Sequence, residues 1–224
     1  MDWAAIELTA VLALATTAIL LVLAIPLAAW LSFSRRRWTV LIEAVAALPL
    51  VLPPTVLGFY VLLALGPRSP FGAWWQSLTG RTLPFTFTGL LIASVLYSLP
   101  FAVQPLLASF AAVDLRLREA SATLGHYAAG TLWRVVLPLS RPGLATAAVL
   151  TFAHTVGEFG VVLMVGGNIP GETRTLSISI YDSVQALDYA AAGRTSLGLL
   201  VFSVAVLTAT YALQRRGGPG WPTH

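Results

Sequence analysis

The sequence predicts an all-α, polytopic membrane protein with five transmembrane helices in one domain, residues 1–224. Of these residues, 57% are hydrophobic and only 10% are charged, and the mean hydropathy is +0.82. Soluble domains carry about 25% charged residues, so lipid is expected to surround most of this chain. Five charge-poor stretches have the length of a membrane span, about 20 residues: 8–31, 44–65, 88–107, 144–165 and 195–213.

The first stretch, residues 8–31, has no charged residue. It follows the N-terminus without an arginine-bearing segment, and it is longer than the apolar core of a signal peptide, about 7–15 residues. We therefore expect a retained membrane helix. The second stretch, 44–65, contains adjacent prolines at Pro53 and Pro54. Two neighbouring prolines predict a break near mid-span, and broken helices at membrane depth usually line a cavity or path.

The arginines predict how the chain is oriented in the membrane. Nine lie in the loops on one side: Arg35, Arg36, Arg37, Arg116, Arg118, Arg134, Arg141, Arg215 and Arg216. The other side holds four: Arg68, Arg81, Arg174 and Arg194. Because positive charge is retained in cytoplasmic loops, the N-terminus is predicted outside and the C-terminus inside.

The basic and sulfur-containing residues exclude several chemistries. All 13 basic residues are arginine, and cysteine is absent. Without lysine the chain has neither a phosphate-binding P-loop nor a Schiff-base residue, and without cysteine it has no thiolate metal site. His126, His154 and His224 do not have zinc-site spacing, and the arginine run 35–37 is interpreted as a topology signal rather than a nucleic-acid patch. We expect no catalytic residues, metal or cofactor, so nucleotide energy must come from a partner.

The segment 114–138, between the third and fourth stretches, predicts a helix–turn–helix elbow. Asp114 is expected to cap a first short helix, and Gly125 can adopt the left-handed conformation that ends it. Thr131 is predicted to cap a second short helix that ends at Pro138. An amphipathic elbow lying on the membrane surface is the alternative interpretation.

The residues of this elbow resemble a known motif. Glu119-Ala120-Ser121, then Gly125, then the hydrophobic-x-Leu-Pro segment 135–138 resemble the EAA loop of bacterial ABC-importer permeases, with Ser121 in place of the second alanine. The resemblance implies an importer-type ABC permease fold, with the loop as a coupling helix that docks on a separate ATPase subunit. The coupling residues it implies are Glu119, Ala120, Gly125, His126, Tyr127, Trp133, Leu137 and Pro138.

Four further segments, 48–54, 157–160, 167–175 and 180–181, make the chain similar to the permease subunits of molybdate ABC importers, which are related to tungstate and sulfate permeases. The similarity runs from the first stretch to the fifth. It implies a non-catalytic subunit in the bacterial plasma (inner) membrane. Two cytoplasmic ATPase subunits would bind ATP, and an external molybdate-binding protein would deliver the anion. Five helices are too few to enclose a gated path, so a homodimer is expected.

Glu158 is the acid most clearly placed inside a hydrophobic run, about 21 Å along the helix from Leu144. A charge there costs about 2.5–3.5 kcal/mol, so Glu158 should face protein or water. We favour a helix-to-helix hydrogen bond or gate contact over substrate binding, because a carboxylate repels an oxyanion. His154, where the family often has arginine, lies one turn earlier and could donate to Glu158.

The candidate path or gate residues are Pro53, Pro54, His154, Glu158, Phe159 and Asn168. Asn168 is placed near the outer gate by resemblance, and an ordinary polar loop is its alternative. Two other functions stay open. A permease of the same type could carry tungstate, sulfate or thiosulfate. A channel, carrier or scaffold that needs no ATP belongs to another class, although the absence of an inverted repeat weighs against a carrier.

Overall fold

In a computed structural model, the described residues are 2–34 and 36–217, so Arg35 and His224 lie outside them. Every regular element in these two ranges is helical. The helices are α1 (Trp3–Phe33), α2 (Thr39–Ala47), α3 (Pro54–Leu65), α4 (Pro70–Thr79), α5 (Phe87–Ala111), α6 (Leu115–Thr123), α7 (Ala128–Thr131), α8 (Leu137–Leu139), α9 (Arg141–Gly157), α10 (Gly160–Gly166), α11 (Leu176–Gln185) and α12 (Tyr189–Gly217). A 3-10 turn, Leu48–Leu50, follows α2, and a π-helical turn, Leu132–Val136, joins α7 to α8.

Polar side chains fix where several helices begin. In each case a side-chain oxygen accepts a hydrogen bond from a backbone N–H of the first turn, which the helix itself cannot satisfy. The capping residues are Asp2 for α1, Ser69 for α4, Thr86 for α5, Asp114 for α6 and Thr175 for α11.

The main core lies where α1, α5 and α9 pack against one another. Fully buried alanines on these helices let them approach closely: Ala24, Ala28, Ala102 and Ala147. Val136 of the π turn packs into the same core beside Phe110 of α5. A second cluster joins α3 and α10 to α5, whereas α12 packs on α9 and α11 and leaves one long face exposed.

Three helices are long and apolar enough to cross a membrane: Trp3–Phe33, Phe87–Ala111 and Tyr189–Ala212. Two helix pairs pass the same test only together, each as either a broken span or a re-entrant loop: Thr39–Leu50 with Pro54–Leu65, bent by 110°, and Ala128–Leu139 with Arg141–Gly157, bent by 79°. By length and composition the described residues thus contain three to five spans, and the count of five stays a prediction.

The predicted continuous stretch 144–165 is two helices. α9 ends at Gly157 and α10 begins at Gly160, with Glu158 extended (φ −66°, ψ 133°) between them. Two glycines so close together weaken a helix, which is the physical reason for the break. The break predicted from Pro53 and Pro54 is present, because the chain turns after Leu50 and α3 restarts at Pro54.

Candidate functional site: an elbow and two helix breaks

The elbow comprises residues 114–139. Its first arm is built as the sequence predicts. The Asp114 Oδ1 atom accepts a hydrogen bond from the Arg116 backbone N–H at 2.9 Å and starts α6. After α6, Gly125 has φ +81°, a conformation that a side chain disfavours. The chain therefore reverses direction within a few residues, and the second arm begins at α7.

The second arm differs from the prediction. Thr131 does not cap a helix, because α7 already begins at Ala128 and continues through the π turn into α8. The Thr131 hydroxyl instead bonds the Ser121 hydroxyl at 2.9 Å, and both side chains are buried. The arm ends at Leu139, one residue beyond the end predicted at Pro138. The Ser121–Thr131 bond ties the two arms together.

The elbow presents an exposed apolar surface. Leu124, Tyr127 and Trp133 expose 77%, 89% and 67% of their surface. Four of the predicted coupling residues are also exposed: Glu119, Ala120, Gly125 and Pro138. Aromatic side chains so exposed beside polar groups are typical of protein interaction sites.

Two other predicted coupling residues have internal contacts. Leu137 is buried in the chain's own core, so it anchors the elbow rather than facing outward. His126 is half-buried, and its Nε2 atom lies 3.0 Å from Nη1 of Arg134. These contacts hold the exposed residues in place.

The two helix breaks lie against each other. A Cβ atom at Gly160 would lie only 2.7 Å from Cβ of Pro54, and one at Gly58 would lie 2.8 Å from Cβ of Met164. α3 and α10 can pack this closely only because both positions are glycine. Beside the contact is a cavity of about 540 Å³, lined by Pro54, Thr55, Tyr97, Ala153, His154 and the segment 157–160. Four of the six candidate path residues therefore line one cavity: Pro54, His154, Glu158 and Phe159.

Glu158 occupies the break between α9 and α10, and it is 3% exposed. Neither carboxyl oxygen has a hydrogen-bond partner among the described residues. Ser94 of α5 is the polar side chain beside it, but its hydroxyl is also buried without a bond of ordinary geometry. Unpaired buried polar atoms cost free energy and need an explanation in a native structure.

The predicted donation from His154 to Glu158 is not formed. The His154 Nδ1 atom lies 2.9 Å from Oγ of Ser98, and that oxygen lies 3.1 Å from Oγ1 of Thr155. The His154 ring stacks on Phe101 with ring centroids 3.9 Å apart. The imidazole thus packs against α5, because serine and aromatic side chains of that helix lie nearer to it than the Glu158 carboxyl does.

Asn168 lies in a polar network that we call the clasp, formed by Asn168, Arg174 and Asp182. Arg174 Nε donates to Asn168 Oδ1 at 2.6 Å, and Asn168 Nδ2 donates to Asp182 Oδ1 at 3.1 Å. Arg174 Nη2 also pairs with Asp182 Oδ2 at 3.4 Å. Because both Asn168 polar atoms are engaged here, its observed role is to tie the loop to α11.

Several residues of the site were not predicted. Ser94 and Ser98 are four residues apart in an apolar helix, and that spacing could have indicated a polar stripe facing α9. Thr55 and Tyr97, which line the cavity, had no comparable signal. The described residues contain no cluster of three or more histidine, aspartate or glutamate side chains that could hold a metal ion.

Residues 20–219 match the family model described as "Binding-protein-dependent transport system inner membrane component". The chain is 55% identical over 214 residues to the molybdenum transport system permease protein ModB of Azotobacter vinelandii, covering 96% of this chain and 95% of that protein. The ModB of Mycobacterium tuberculosis is 35% identical over 195 residues, covering 87% of this chain and 73% of the relative. For ModB of Escherichia coli K12, the match is 37% over 145 residues, 65% of this chain and 63% of the relative.

Two solved structures share the fold. One is the crystal structure of a bacterial ABC transporter involved in the import of the acidic polysaccharide alginate, with a TM-score of 0.77 and 18% identity over 96% of this chain and 79% of that one. The other is a bacterial alginate ABC transporter in complex with an alginate pentasaccharide-bound periplasmic protein, with a TM-score of 0.76 and 17% identity over 95% and 78%. At this level of identity the likeness concerns the fold alone.

Proposed function

The chain belongs to the family of binding-protein-dependent transport system inner membrane components, and on this premise we propose that it is the permease subunit of an ATP-driven importer of molybdate. The observation that carries the proposal is the 55% identity to a molybdenum transport permease over nearly the whole of both chains. The chain has no lysine for a P-loop, so ATP would be bound by a partner subunit.

The elbow would be the docking site of the ATPase. Its exposed Leu124, Tyr127 and Trp133 form an apolar surface supported by buried residues of the same segment, Val136 and Leu137. A rigid elbow anchored in the core can pass on a displacement rather than absorb it. The arginine distribution favours a cytoplasmic elbow, with the N-terminus outside and the C-terminus inside.

The translocation path would run beside the two helix breaks, and a second copy of the chain would complete it. The cavity of about 540 Å³ is bordered by interrupted backbone, which is tolerated at membrane depth where it lines a cavity. Near it, the apolar Leu50 and Val51 are 53% and 82% exposed. Exposed apolar residues beside a half-open cavity favour a homodimer with the path on its two-fold axis.

An external binding protein would select the anion and deliver it. One structural neighbour is in complex with a periplasmic protein bound to its own ligand, which supports the same arrangement here. Selection by the binding protein also explains why the path needs no strong anion site. Weak, transient contacts suffice for release on the other side.

The test is uptake by the complete transporter in liposomes. The permease is reconstituted with a molybdate-importer ATPase and a molybdate-binding protein, and molybdate uptake is measured by elemental analysis with and without ATP. We expect uptake that requires ATP and the binding protein and that tungstate competes with. Uptake without ATP would instead show a channel or carrier, and sulfate uptake far above molybdate uptake would reassign the substrate.

A further inference from the structure

Arg118 of α6 reaches out of the elbow to the end of a long helix. Its Nη2 atom donates to the backbone oxygens of Phe110 at 3.1 Å and Val113 at 3.2 Å. Phe110 lies in the last turn of α5, where its oxygen also accepts the Val113 backbone N–H at 3.3 Å, and Val113 lies just beyond the helix, which ends at Ala111. That end of the helix carries partial negative charge, so a guanidinium binds it favourably.

The same guanidinium also contacts the end of a second long helix. Its central carbon lies 4.9 Å from the centroid of the Phe33 ring, the last residue of α1. A cation over an aromatic face is attracted by the ring quadrupole. One side chain therefore joins α6 to the ends of α5 and α1.

The contacts of Arg118 end on buried residues of the main core. Phe110 is fully buried and Val113 is 8% exposed, and both belong to the main core formed with α1. By contrast, the packing of α6 itself is mainly within the elbow, against α7 and the π turn. Arg118 thus extends the contacts of α6 beyond the elbow to the helices of the core.

The guanidinium is held in a defined orientation. Arg118 is half-buried, and its Nε atom is buried without a partner among the described residues. Arg116, on the same helix, is exposed to solvent. The planar guanidinium can donate to carbonyls and lie over a ring at once, which a lysine ammonium does not reproduce.

We infer that Arg118 is a positioning residue that transmits a displacement of α6 to α5 and α1, and so couples ATPase movement to the path. The inference rests on the proposed function, because it assumes that an ATPase binds the elbow. It assigns to Arg118 a role distinct from docking: the ATPase would still bind when Arg118 is replaced, but less of its movement would reach α5 and α1 than passes through Val136, Leu137 and Arg118 together.

The experiment uses the complete reconstituted transporter and measures ATP hydrolysis and anion uptake in the same vesicles. In Arg118→Met, ATPase binding and hydrolysis should stay within about twofold of the wild type, while anion taken up per ATP falls about tenfold, within the usual range of coupling energies. Arg118→Lys should recover only part of that ratio. The matched control, Arg116→Met, removes an exposed arginine from the same helix and should leave the ratio unchanged.

A second variant tests the inference if Arg118→Met does not assemble. Phe33→Leu keeps both hydrogen bonds and removes the aromatic ring, so it should lower uptake per ATP by a smaller factor than Arg118→Met. An unchanged ratio in Arg118→Met would overturn the inference, and so would an unchanged ratio in Phe33→Leu if Arg118→Met does not assemble. A parallel fall of hydrolysis and uptake in either variant would also overturn it.

The proposed function fails separately, and that failure is visible in the wild type. If wild-type vesicles show no ATP-dependent uptake, the importer proposal itself is wrong. If the wild type is coupled and Arg118→Met is equally coupled, only the role of Arg118 is wrong.

Discussion

The elbow and the clasp lie at opposite ends of α1 and are built in contrasting ways. Phe33 of α1 contacts Arg118 of the elbow, whereas Thr9 of the same helix accepts a hydrogen bond from the Leu176 backbone N–H, next to the clasp. With a rise of 1.5 Å per residue, about 36 Å of helix separates Thr9 from Phe33.

At the clasp, the polar side chains form hydrogen bonds and an ion pair with one another. At the elbow, the aromatic residues Tyr127 and Trp133 are left exposed. The difference teaches that the polar side chains of the clasp already have partners within the chain, whereas the proposed ATPase would cover the exposed aromatic residues of the elbow. Substitutions at the elbow should therefore change assembly more than stability, and substitutions at the clasp should do the reverse.

The largest expected effect is at Trp133. Trp133→Ala removes an exposed anchor of the proposed docking surface, and such residues contribute about 2 kcal/mol or more to binding, about thirtyfold in affinity. The unfolding of the isolated permease should hardly change. Binding of the ATPase to permease in detergent measures the first effect, and thermal unfolding measures the second. Trp74→Ala in α4, an equally bulky exposed residue (54%), is the control and should leave ATPase binding unchanged.

The second-largest effect is expected where α3 and α10 pack against each other at the two helix breaks. Gly160→Ala adds a Cβ only 2.7 Å from Pro54, and such overpacking costs about 1–3 kcal/mol. Uptake and the stability of the permease should both fall, while ATPase binding stays intact. For the stability measurement the matched control is Gly157→Ala, because an added Cβ there meets no atom within 4 Å. Equal effects of the two variants would show that the close α3–α10 contact is not important.

Two glycines with positive φ test whether the effect of backbone strain on ATPase binding depends on where the strain lies. Gly125 in the elbow (φ +81°) and Gly80 after α4 (φ +71°) both have open space where a Cβ would lie. Alanine costs about 1–2 kcal/mol of left-handed strain at either site. Gly125→Ala should weaken ATPase binding about tenfold, and Gly80→Ala should not weaken it. If both variants bind the ATPase equally well, the shape of the turn does not matter for docking.

The smallest effect is expected at the clasp. Asp182→Asn removes the ion pair with Arg174, which is partly exposed and therefore contributes about 0.2–1 kcal/mol to the free energy of unfolding. Glu172→Gln neutralises an exposed carboxylate of the same loop and serves as the control. Neither variant should alter ATPase binding. A loss of ATPase binding in Asp182→Asn would contradict the division of roles between the two ends.

The sequence was most informative where a residue acts on its own backbone. Asp114 caps α6 and Gly125 turns left-handed as predicted, because a short polar side chain or a missing Cβ determines those conformations locally. The break before α3 followed for the same reason from Pro53 and Pro54. The predicted membership of the ABC-importer permease family is likewise confirmed, since it rests on the order of residues in short segments.

Partners distant in the sequence were not predictable. The Thr131 side chain forms a hydrogen bond with Ser121 instead of capping a helix. The His154 side chain forms one with Ser98 instead of with Glu158. Both predictions considered only residues within about one helical turn. The competing partner came from another helix, and its distance depends on how the helices pack.

By itself the sequence determined that this is an all-helical protein of a membrane transport family, with an elbow at one end and a proline break in its second apolar stretch. These features follow from composition and from short motifs that determine the nearby backbone, so they could be predicted without knowing how the helices pack. Only the tertiary structure decided that both helix breaks border one cavity, that Asn168 belongs to a clasp, and that Arg118 reaches α5 and α1. These features depend on distances between segments that helix packing alone brings together.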